Sequence, residues 1–364
     1  AQGYLKINAL DAAGDIIGTA TEFVDIDAQE LYNFNILVPI SSGKKAENYT
    51  VEFENCGHIY DYHINDDGNA IIEKYYGNQT VLKIPSKIKN APVTKIEEKA
   101  FIGHDELEEL IISDTVTALG KAALKNNYSL KKLHIGASLS EIGDACFAGC
   151  GRINSITVDE NNKCVFVDSN VLYKDAGKTL VFATSGAPEQ FVVPTEVKTI
   201  CSDAFSACSN IDRITFNNGL ESIGSRAFKG CQALKELDIP DSVTYIGVYA
   251  FSYCSSLEKV DTGNGIATLE TGVFENCVAL KELTIGSSLE QIADNSISNA
   301  SMLSVINIES KHLFSLTSSQ RSFRNVGTKS QNITVNIASN VSSIPAYFFS
   351  GTNEYSMPIV KVNV

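Results

Sequence analysis

Residues 234–256 have the sequence LKELDIPDSVTYIGVYAFSYCSS, and near-copies of this stretch recur along most of the chain. Leu234, Leu257 and Leu280 begin three successive copies, 23 residues apart. With Leu234 as position 1, the shared template is L-x-x-L-x-I-P-x-x-V-x-x-I-G-x-x-A-F-x-x-C, followed by two free positions. Self-similarity at a fixed period of this length predicts a solenoid, in which each copy forms one coil that stacks on the next.

The spacing of the apolar positions predicts how each coil folds. Positions 4 and 6 are apolar and two residues apart, so both side chains point to the same side of a strand. Positions 17, 18 and 21 and the next leucine have the spacing of one face of a short helical turn. The sequence therefore predicts a leucine-rich-repeat solenoid, mainly β with short helical turns, of about 11 coils.

One aromatic position and one cysteine position recur inside the predicted core. We expect the phenylalanines at position 18 to stack as an aromatic spine and the cysteines at position 21 to pack beside them. The phenylalanines are Phe101, Phe147, Phe205, Phe228, Phe251, Phe274 and Phe349, and the cysteines are Cys150, Cys208, Cys231, Cys254 and Cys277.

The nine cysteines of the chain leave two interpretations open. One is the disulfide framework of a secreted protein. The other is a row of buried thiols that behave as small hydrophobic side chains. Stacked coils hold equivalent Cβ atoms at about the strand spacing of 4.8 Å, which is wider than the roughly 3.8 Å that a disulfide prefers. This geometry favours buried thiols.

Residues 1–56 lie outside the repeat and predict a small β-sandwich-like domain. Alternating apolar residues separated by turn residues predict strands over Ile7–Leu10, Asp15–Thr19, Leu31–Val38 and Tyr49–Phe53. Strands at this spacing are typical of small all-β domains. We therefore expect residues 1–56 to form a domain separate from the solenoid.

The solenoid is expected over residues 57–364, and residues 58–78 predict a β-hairpin at its start. The hairpin turns at Asp66-Asp67-Gly68 and would cover the first coil. The acidic residues of this turn lack the spacing of a calcium-binding loop, so we expect no metal there. The coil from Ile153 is longer than the others and contains a second hairpin, with Lys174–Gly177 as its turn.

The template closely resembles the BspA-like leucine-rich repeat of bacterial surface proteins, from about Tyr60 to Val364. Residues 7–19, INALDAAGDIIGT, together with Phe34-Asn35-Ile36, resemble an FxLYD domain. The resemblance implies an extracellular or cell-surface protein whose signal or lipid anchor has been removed, and a role in adhesion or in binding host matrix proteins. A first strand expected of an FxLYD domain is missing, so we expect that domain to begin upstream of Ala1.

Composition and motifs disfavour several classes of function. The formal net charge of −14 disfavours nucleic acid and anionic membranes, which require a basic surface. An apolar run of the roughly 18 residues that a spanning helix needs is absent from the sequence. The sequence has no phosphate-binding glycine loop and no G-x-S-x-G or H-E-x-x-H motif. We therefore predict a protein that is not an enzyme and needs no metal or cofactor.

The outward strand positions provide the candidate binding face. At position 5 this face comprises Lys83, His134, Thr157, Thr215, Asp238, Asp261, Thr284 and Asn307. At positions 2 and 3, charges alternate in sign from coil to coil. Two interpretations of these charges stay open: rungs that align neighbouring coils, or part of a polar docking face.

The leading hypothesis is protein–protein recognition or host adhesion through this face. The alternatives are a carbohydrate-binding surface protein and a structural spacer that carries another domain. The chain contains no tryptophan and position 5 has no aromatic cluster, which disfavours the stacking of sugar rings.

Overall fold

The computed structural model describes residues 2–25, 38–311, 313, 322–329, 332–342, 344 and 359–363. Two compact units divide the chain, one of residues 1–146 with 159–162 and one of residues 147–158 with 163–364. The expected domain boundary after residue 56 stays a prediction. Most of the strand expected over Leu31–Val38, the segment Phe34–Ile36 and Phe349 lie outside the described residues.

The first unit is built from short strands. They are β1 (Gln2–Leu10), β2 (Ile16–Asp25), β3 (Asn48–Gly57), β4 (Tyr60–Ile64), β5 (Ala70–Tyr75), β6 (Val81–Lys83), β7 (Lys87–Ile88), β8 (Ala91–Ile96), β9 (Glu109–Ile111), β10 (Ala118–Leu119), β11 (Lys132–Ile135) and β12 (Glu141–Ile142).

Strands β1 to β3 form an antiparallel sheet in the order β2-β1-β3. The first turn is held by the Asp11 carboxylate, which accepts hydrogen bonds from the backbone N–H groups of Ala13 and Asp15. All three strands are longer than the sequence pattern indicates. The described residues contain one sheet here, and the second layer of the expected sandwich is not among them.

The hairpin of β4 and β5 is joined to the first coils by backbone pairing and by aromatic packing. Strand β5 pairs in parallel with β8, within the sheet of order β12-β10-β8-β5-β4. The rings of Tyr75 and Phe101 stack with centroids 4.8 Å apart. At its turn, the Asn65 side chain accepts hydrogen bonds from the N–H groups of Asp67 and Asn69. That carboxamide oxygen thus serves the turn itself.

The second unit continues the same strand pattern. Its strands are β13 (Ser155–Val158), β14 (Val165–Asp168), β15 (Val171–Lys174), β16 (Thr179–Ala183), β17 (Gln190–Val192), β18 (Thr199–Ile200), β19 (Arg213–Thr215), β20 (Ser222–Ile223), β21 (Glu236–Asp238), β22 (Tyr245–Ile246), β23 (Lys259–Asp261), β24 (Thr268–Leu269), β25 (Glu282–Ile285), β26 (Gln291–Ile292), β27 (Val305–Ile308), β28 (Ile333–Ile337) and β29 (Ile359–Asn363), and a 3-10 helix spans Asp175–Gly177.

Each regular coil of this unit contributes two strands to parallel sheets. Strands at positions 3 to 5 form the sheet β17-β19-β21-β23-β25-β27-β28-β29. Two-residue strands at positions 12 and 13 form part of the sheet that contains β18-β20-β22, and a separate pair, β24-β26. The hairpin of the long coil is joined to the next coil, because β16 pairs in parallel with β18. The predicted mainly β solenoid is confirmed.

The third side of each coil consists of consecutive tight turns where the spacing predicts a helical turn. Residues at positions 16 and 20 have left-handed backbones, as in Tyr249 (φ 59°) and Tyr253 (φ 61°). This alternation points every second N–H group at the next coil, and the Phe251 N–H donates to the Val273 carbonyl at 2.9 Å. The intervening N–H groups bond within the turn, so this side gains a third intercoil hydrogen-bond series.

The core packs the side chains of positions 18 and 21. Ring centroids are 4.8 Å apart for Phe205–Phe228, 5.1 Å for Phe228–Phe251 and 5.6 Å for Phe251–Phe274, all stacked. The stack does not extend to every phenylalanine of the expected spine. Phe101 stacks on Tyr75 and Phe147 packs tilted on Phe182, because the coils that follow Phe101 and Phe147 differ from the template at position 18 or in length.

The position-21 cysteines are buried, and the structure records Cys208, Cys231, Cys254 and Cys277 as thiols outside any disulfide. The Sγ atoms of Cys231 and Cys254 each donate to a phenylalanine carbonyl, at 3.2 Å. Each thiol thus satisfies a backbone acceptor of the preceding coil inside the core.

Candidate functional site

In each unit, the strand face consists of the outward side chains at positions 2, 3 and 5 of the parallel strands. Residues two apart on a strand point to the same side, so positions 3 and 5 share this face. The register aligns Glu236 with Lys259, and Asp238 with Asp261, across β21 and β23. The backbone hydrogen bonds of the sheet therefore hold charged side chains in fixed rows.

Many of these charges pair with each other along the rows. In the second unit, Lys281 lies 2.8 Å from Glu258, and Lys259 lies 3.7 Å from Glu282. The first unit has the same arrangement, with Lys131 2.7 Å from Glu108. Such exposed pairs are worth about 0.2–1 kcal/mol each. These contacts support the interpretation of the charge rows as rungs between neighbouring coils.

The position-5 residues differ in exposure. In the first unit Lys83 is exposed, and the Nε2 atom of the half-buried His134 lies 3.2 Å from a carboxylate oxygen of Glu109. In the second unit Thr157, Thr215 and Asp238 are exposed, Asp261 and Asn307 are half-buried, and Thr284 is buried. The registers align Asp238, Asp261, Thr284 and Asn307 in one row.

An asparagine ladder continues this row and was missed at the sequence level. The Nδ2 of Asn307 donates to Thr284 Oγ1 at 3.2 Å. The Nδ2 of Asn336 donates to Asn307 Oδ1, and that of Asn363 donates to Asn336 Oδ1, both at 2.7 Å. The recurrence of asparagine at one template position was the available signal. Because these carboxamides bond to one another, this end of the row serves structure.

A cleft interrupts the strand face between β19 and β21. The register of these two strands pairs Arg213 with Glu236 alone, whereas β21 and β23 pair over three residues. The residue that follows β19 at the inward position 6 is Phe216, where the two coils on either side have Val193 and Ile239. Phe216 is 9% exposed and its ring lies edge-on to Phe228 at 5.9 Å. We attribute the separation of the strands to the volume of this ring.

The cleft has a volume of about 270 Å³. Its lining comprises Arg213, Ile214, Thr215, Phe216, Asn218, Glu236, Asp238, Ile239 and Pro240. An aromatic and aliphatic floor thus lies beneath a rim that carries one guanidinium and two carboxylates. Arg213, Glu236 and Asp238 are all exposed, and none of the ion pairs recorded among the described residues involves them. This is where two of the predicted face residues, Thr215 and Asp238, meet in a concave site.

Ionisable groups with clearly perturbed pKa values lie elsewhere. Burial raises the pKa of the Cys208 and Cys254 thiols to about 12, so both stay protonated at neutral pH. A protonated thiol is a poor nucleophile. Burial also lowers the pKa of His104, which packs against the Tyr75 ring. Across the described part of the chain, no three His, Cys, Asp or Glu side chains are grouped to hold a metal ion.

The repeat matches a known family model. The BspA type leucine rich repeat region matches in six copies, over residues 71–173, 178–304 and 223–356. The chain belongs to the BspA-type leucine-rich repeat family. The resemblance seen in the template is therefore confirmed, while the FxLYD resemblance of the N-terminal segment stays a prediction. No curated protein sequence matches the chain.

One solved structure shares the fold, and others are similar to this chain over most of its length. A leucine-rich repeat protein from Eubacterium ventriosum is 20% identical with a TM-score of 0.54, and the match covers 82% of this chain and 98% of that one. A leucine rich cell surface protein from Faecalibacterium prausnitzii is 20% identical with a TM-score of 0.36, covering 84% and 92%. The pneumococcal vaccine antigen PcpA is 20% identical with a TM-score of 0.46, covering 76% and 77%.

Within the described ranges, none of the helices has the length and apolar character needed to cross a membrane.

Proposed function

We propose that this BspA-type chain is a non-catalytic binding protein that acts outside a bacterial cell and recognises another protein through its strand face. The observation that carries the proposal is the presence of exposed side chains of both signs on a parallel sheet whose backbone is fixed by hydrogen bonds. A rigid face loses little conformational entropy on binding.

Three further observations support the proposal. The net charge of −14 disfavours nucleic acid as the partner. The cysteine thiols whose pKa values are raised are buried in the core, away from solvent. The family of the repeat is the one that the template resembles, and the resemblance implies adhesion or binding of host matrix proteins. The boundary after residue 56 and the capping role of residues 58–78 belong to the same proposal.

Binding to a panel of purified extracellular-matrix proteins tests this function. We expect at least one of them to bind the full chain in solution with a measurable affinity. The double variant Thr157→Lys/Thr215→Lys, at exposed positions of the strand face, should weaken that binding. The matched control Val278→Lys/Gln291→Lys adds the same charge at exposed positions outside the face and should bind normally.

The same assay identifies failure of the proposal. Equal loss of binding in both double variants would mean that net charge, and not the strand face, controls recognition. Lack of binding across the whole panel would contradict the adhesion role. Protease accessibility of the protein on intact cells tests the proposed location, since a protein outside the cell is cleaved without lysis.

A further inference from the structure

We propose that the cleft between β19 and β21 receives one basic side chain, an arginine or a lysine, from the protein partner. The inference rests on the proposed function of the strand face and names the chemistry that the face selects. Its starting point is the interrupted register, in which Arg213 and Glu236 pair but the following residues of the two strands do not.

The size of the cleft suits a single side chain. Pockets for drug-sized ligands usually exceed roughly 300 Å³, and this cleft has about 270 Å³. Its floor includes the Phe216 ring and Ile239, both buried. An apolar floor below a charged rim fits a side chain with an aliphatic stem and a charged end, because such side chains bury the stem and keep the end polar.

The charge of the rim favours a cation on the side of Asp238, because the register flanks Glu236 with Arg213 and Lys259. Glu236 and Asp238 are two residues apart on β21, so both carboxylates point outward from the same strand, about 7 Å apart along it. Asp261 stands beside Asp238 in the register of the next strand. Like charges in directly opposed strand positions are destabilising. A cationic group between them would relieve that repulsion.

Arg213 sets the direction of approach. It lies on β19, opposite Glu236, and repels the end of a basic side chain that enters from its side. The entering cation should therefore lie toward Asp238 and Asp261 and away from Arg213. The excess of acidic groups over the whole chain adds long-range attraction for a positively charged partner surface.

Fluorescein-labelled nine-residue peptides that differ only at the central residue test the assignment by fluorescence anisotropy. The central residue is arginine, lysine, citrulline or glutamate. Citrulline has the shape of arginine without its charge. We expect the arginine peptide to bind the full chain about tenfold more tightly than the citrulline peptide, the loss typical of a charge-assisted hydrogen bond. Glutamate should bind most weakly.

Variants of the cleft separate local recognition from net charge. Glu236→Gln/Asp238→Asn should abolish the preference for arginine over citrulline. The control Glu196→Gln/Glu290→Gln removes the same charge at exposed positions outside the cleft and should keep the preference. Arg213→Gln removes the repulsion and should strengthen binding of the arginine peptide.

The shape of the cleft is tested without changing its charges. Phe216→Ile introduces the side chain found at the same position of the next coil, and should let β19 and β21 pair fully and close the cleft. We expect this variant to fold and to lose the arginine preference. Its crystal structure should show Thr215 paired with Asp238.

Several results would overturn the assignment. Equal binding of arginine and citrulline peptides, or an unchanged preference in Glu236→Gln/Asp238→Asn, would show that the cleft does not select a cation. Tighter binding of the glutamate peptide, lost in Arg213→Gln, would show that Arg213 is the recognition group. If matrix proteins bind and the cleft variants bind them normally, the cleft assignment fails and the wider function stands. If the arginine preference holds and no matrix protein binds, the cleft assignment stands and the proposed binding of matrix proteins fails.

Discussion

The carboxylate of Asp203 and the guanidinium of Arg226 form a two-bond ion pair between successive coils. The Arg226 Nε donates to Asp203 Oδ1 at 3.1 Å, and Nη2 donates to Oδ2 at 3.0 Å. Both residues occupy position 16, where their backbones are left-handed, with φ of 59° and 55°. The Asp203 side chain is 7% exposed. A nearly buried carboxylate thus depends on one side chain of the next coil.

Replacing Arg226 with methionine should destabilise the fold by about 2–3 kcal/mol, because it leaves the Asp203 carboxylate buried without its counter-charge. Urea unfolding measures the free energy of unfolding. The double variant Asp203→Asn/Arg226→Met should recover part of the loss, since it removes the charge as well as its partner. A single-variant loss below about 0.5 kcal/mol would contradict a buried, coupled pair.

Replacing Phe251 with alanine should lower the free energy of unfolding by about 3–5 kcal/mol, from lost apolar burial and the cavity left behind. Phe251 is fully buried and stacks on both Phe228 and Phe274. Val192 is 67% exposed and supplies the control, since Val192→Ala should change stability by less than about 0.5 kcal/mol. A melting temperature of Phe251→Ala equal to that of the parent chain would contradict the stacked core.

Raising the pH should destabilise the chain through the buried thiols. Burial raises the pKa of Cys254 from 9.0 to about 12, so the unfolded chain loses this proton before the folded chain does. The thiol's contribution is therefore complete below pH 9 and is lost as the pH rises toward 12. Between pH 8 and 10.5 we expect a loss of about 1–2 kcal/mol per such thiol.

Denaturant unfolding at several pH values checks this prediction. We expect Cys254→Ala to leave a small cavity and to be less stable than the parent chain near neutral pH, so the informative quantity is the slope of stability against pH. That slope should be shallower in Cys254→Ala than in the parent chain. Equal slopes would show that the thiol titrates with the same pKa in the folded and the unfolded chain.

Asn299 provides a test of the left-handed turns. Its φ is 63°, its Nδ2 donates to Asn276 Oδ1 at 2.9 Å, and its Oδ1 accepts from Asn325 Nδ2 at 2.9 Å. Alanine and glycine both remove these hydrogen bonds, but glycine avoids the left-handed strain of about 1–2 kcal/mol. Asn299→Ala should therefore be about 1 kcal/mol less stable than Asn299→Gly. Equal stabilities in thermal or urea unfolding would contradict the strained position.

The repeat length, the strand positions and the core residues were predictable because each follows from a single spacing. Leu234, Phe251 and Cys254 recur at fixed positions, so their common environment can be inferred without knowing the turns between them. The mainly β solenoid was predicted from this spacing, and the family from the resemblance of the whole template. At positions 17 to 21 the same spacing predicted a helical turn, whereas the structure has consecutive tight turns. The spacing of the buried residues is compatible with both.

The left-handed backbone positions could not be predicted, because many of the residue types found there rarely adopt this conformation. Gly230 and Asn276 are usual in such conformations, but Arg226, Tyr249 and Tyr253 are not. Hydrogen bonds to the neighbouring coils enforce the conformation there, and no local sequence signal reports those bonds.

The cleft had a signal that depends on comparing coils. Phe216 is larger than Val193 or Ile239 at the same position, yet its effect depends on how far two strands separate to accommodate it. Sequence spacing places Thr215 and Asp238 on one face. It does not show that the register between their strands is interrupted, which is what turns two exposed side chains into a concave site.

The asparagine ladder of the strand face has a direction. Each carboxamide donates its Nδ2 hydrogen to the coil before it and offers its Oδ1 to the coil after it, as Asn336 does between Asn307 and Asn363. The coil of Asn336 therefore presents an acceptor on one side and a donor on the other. A duplicated coil inserted between two such coils would find a complementary group on both sides, whereas an aspartate there would supply acceptors and no donor. Gene duplication can lengthen such a protein by whole coils without redesigning either neighbour.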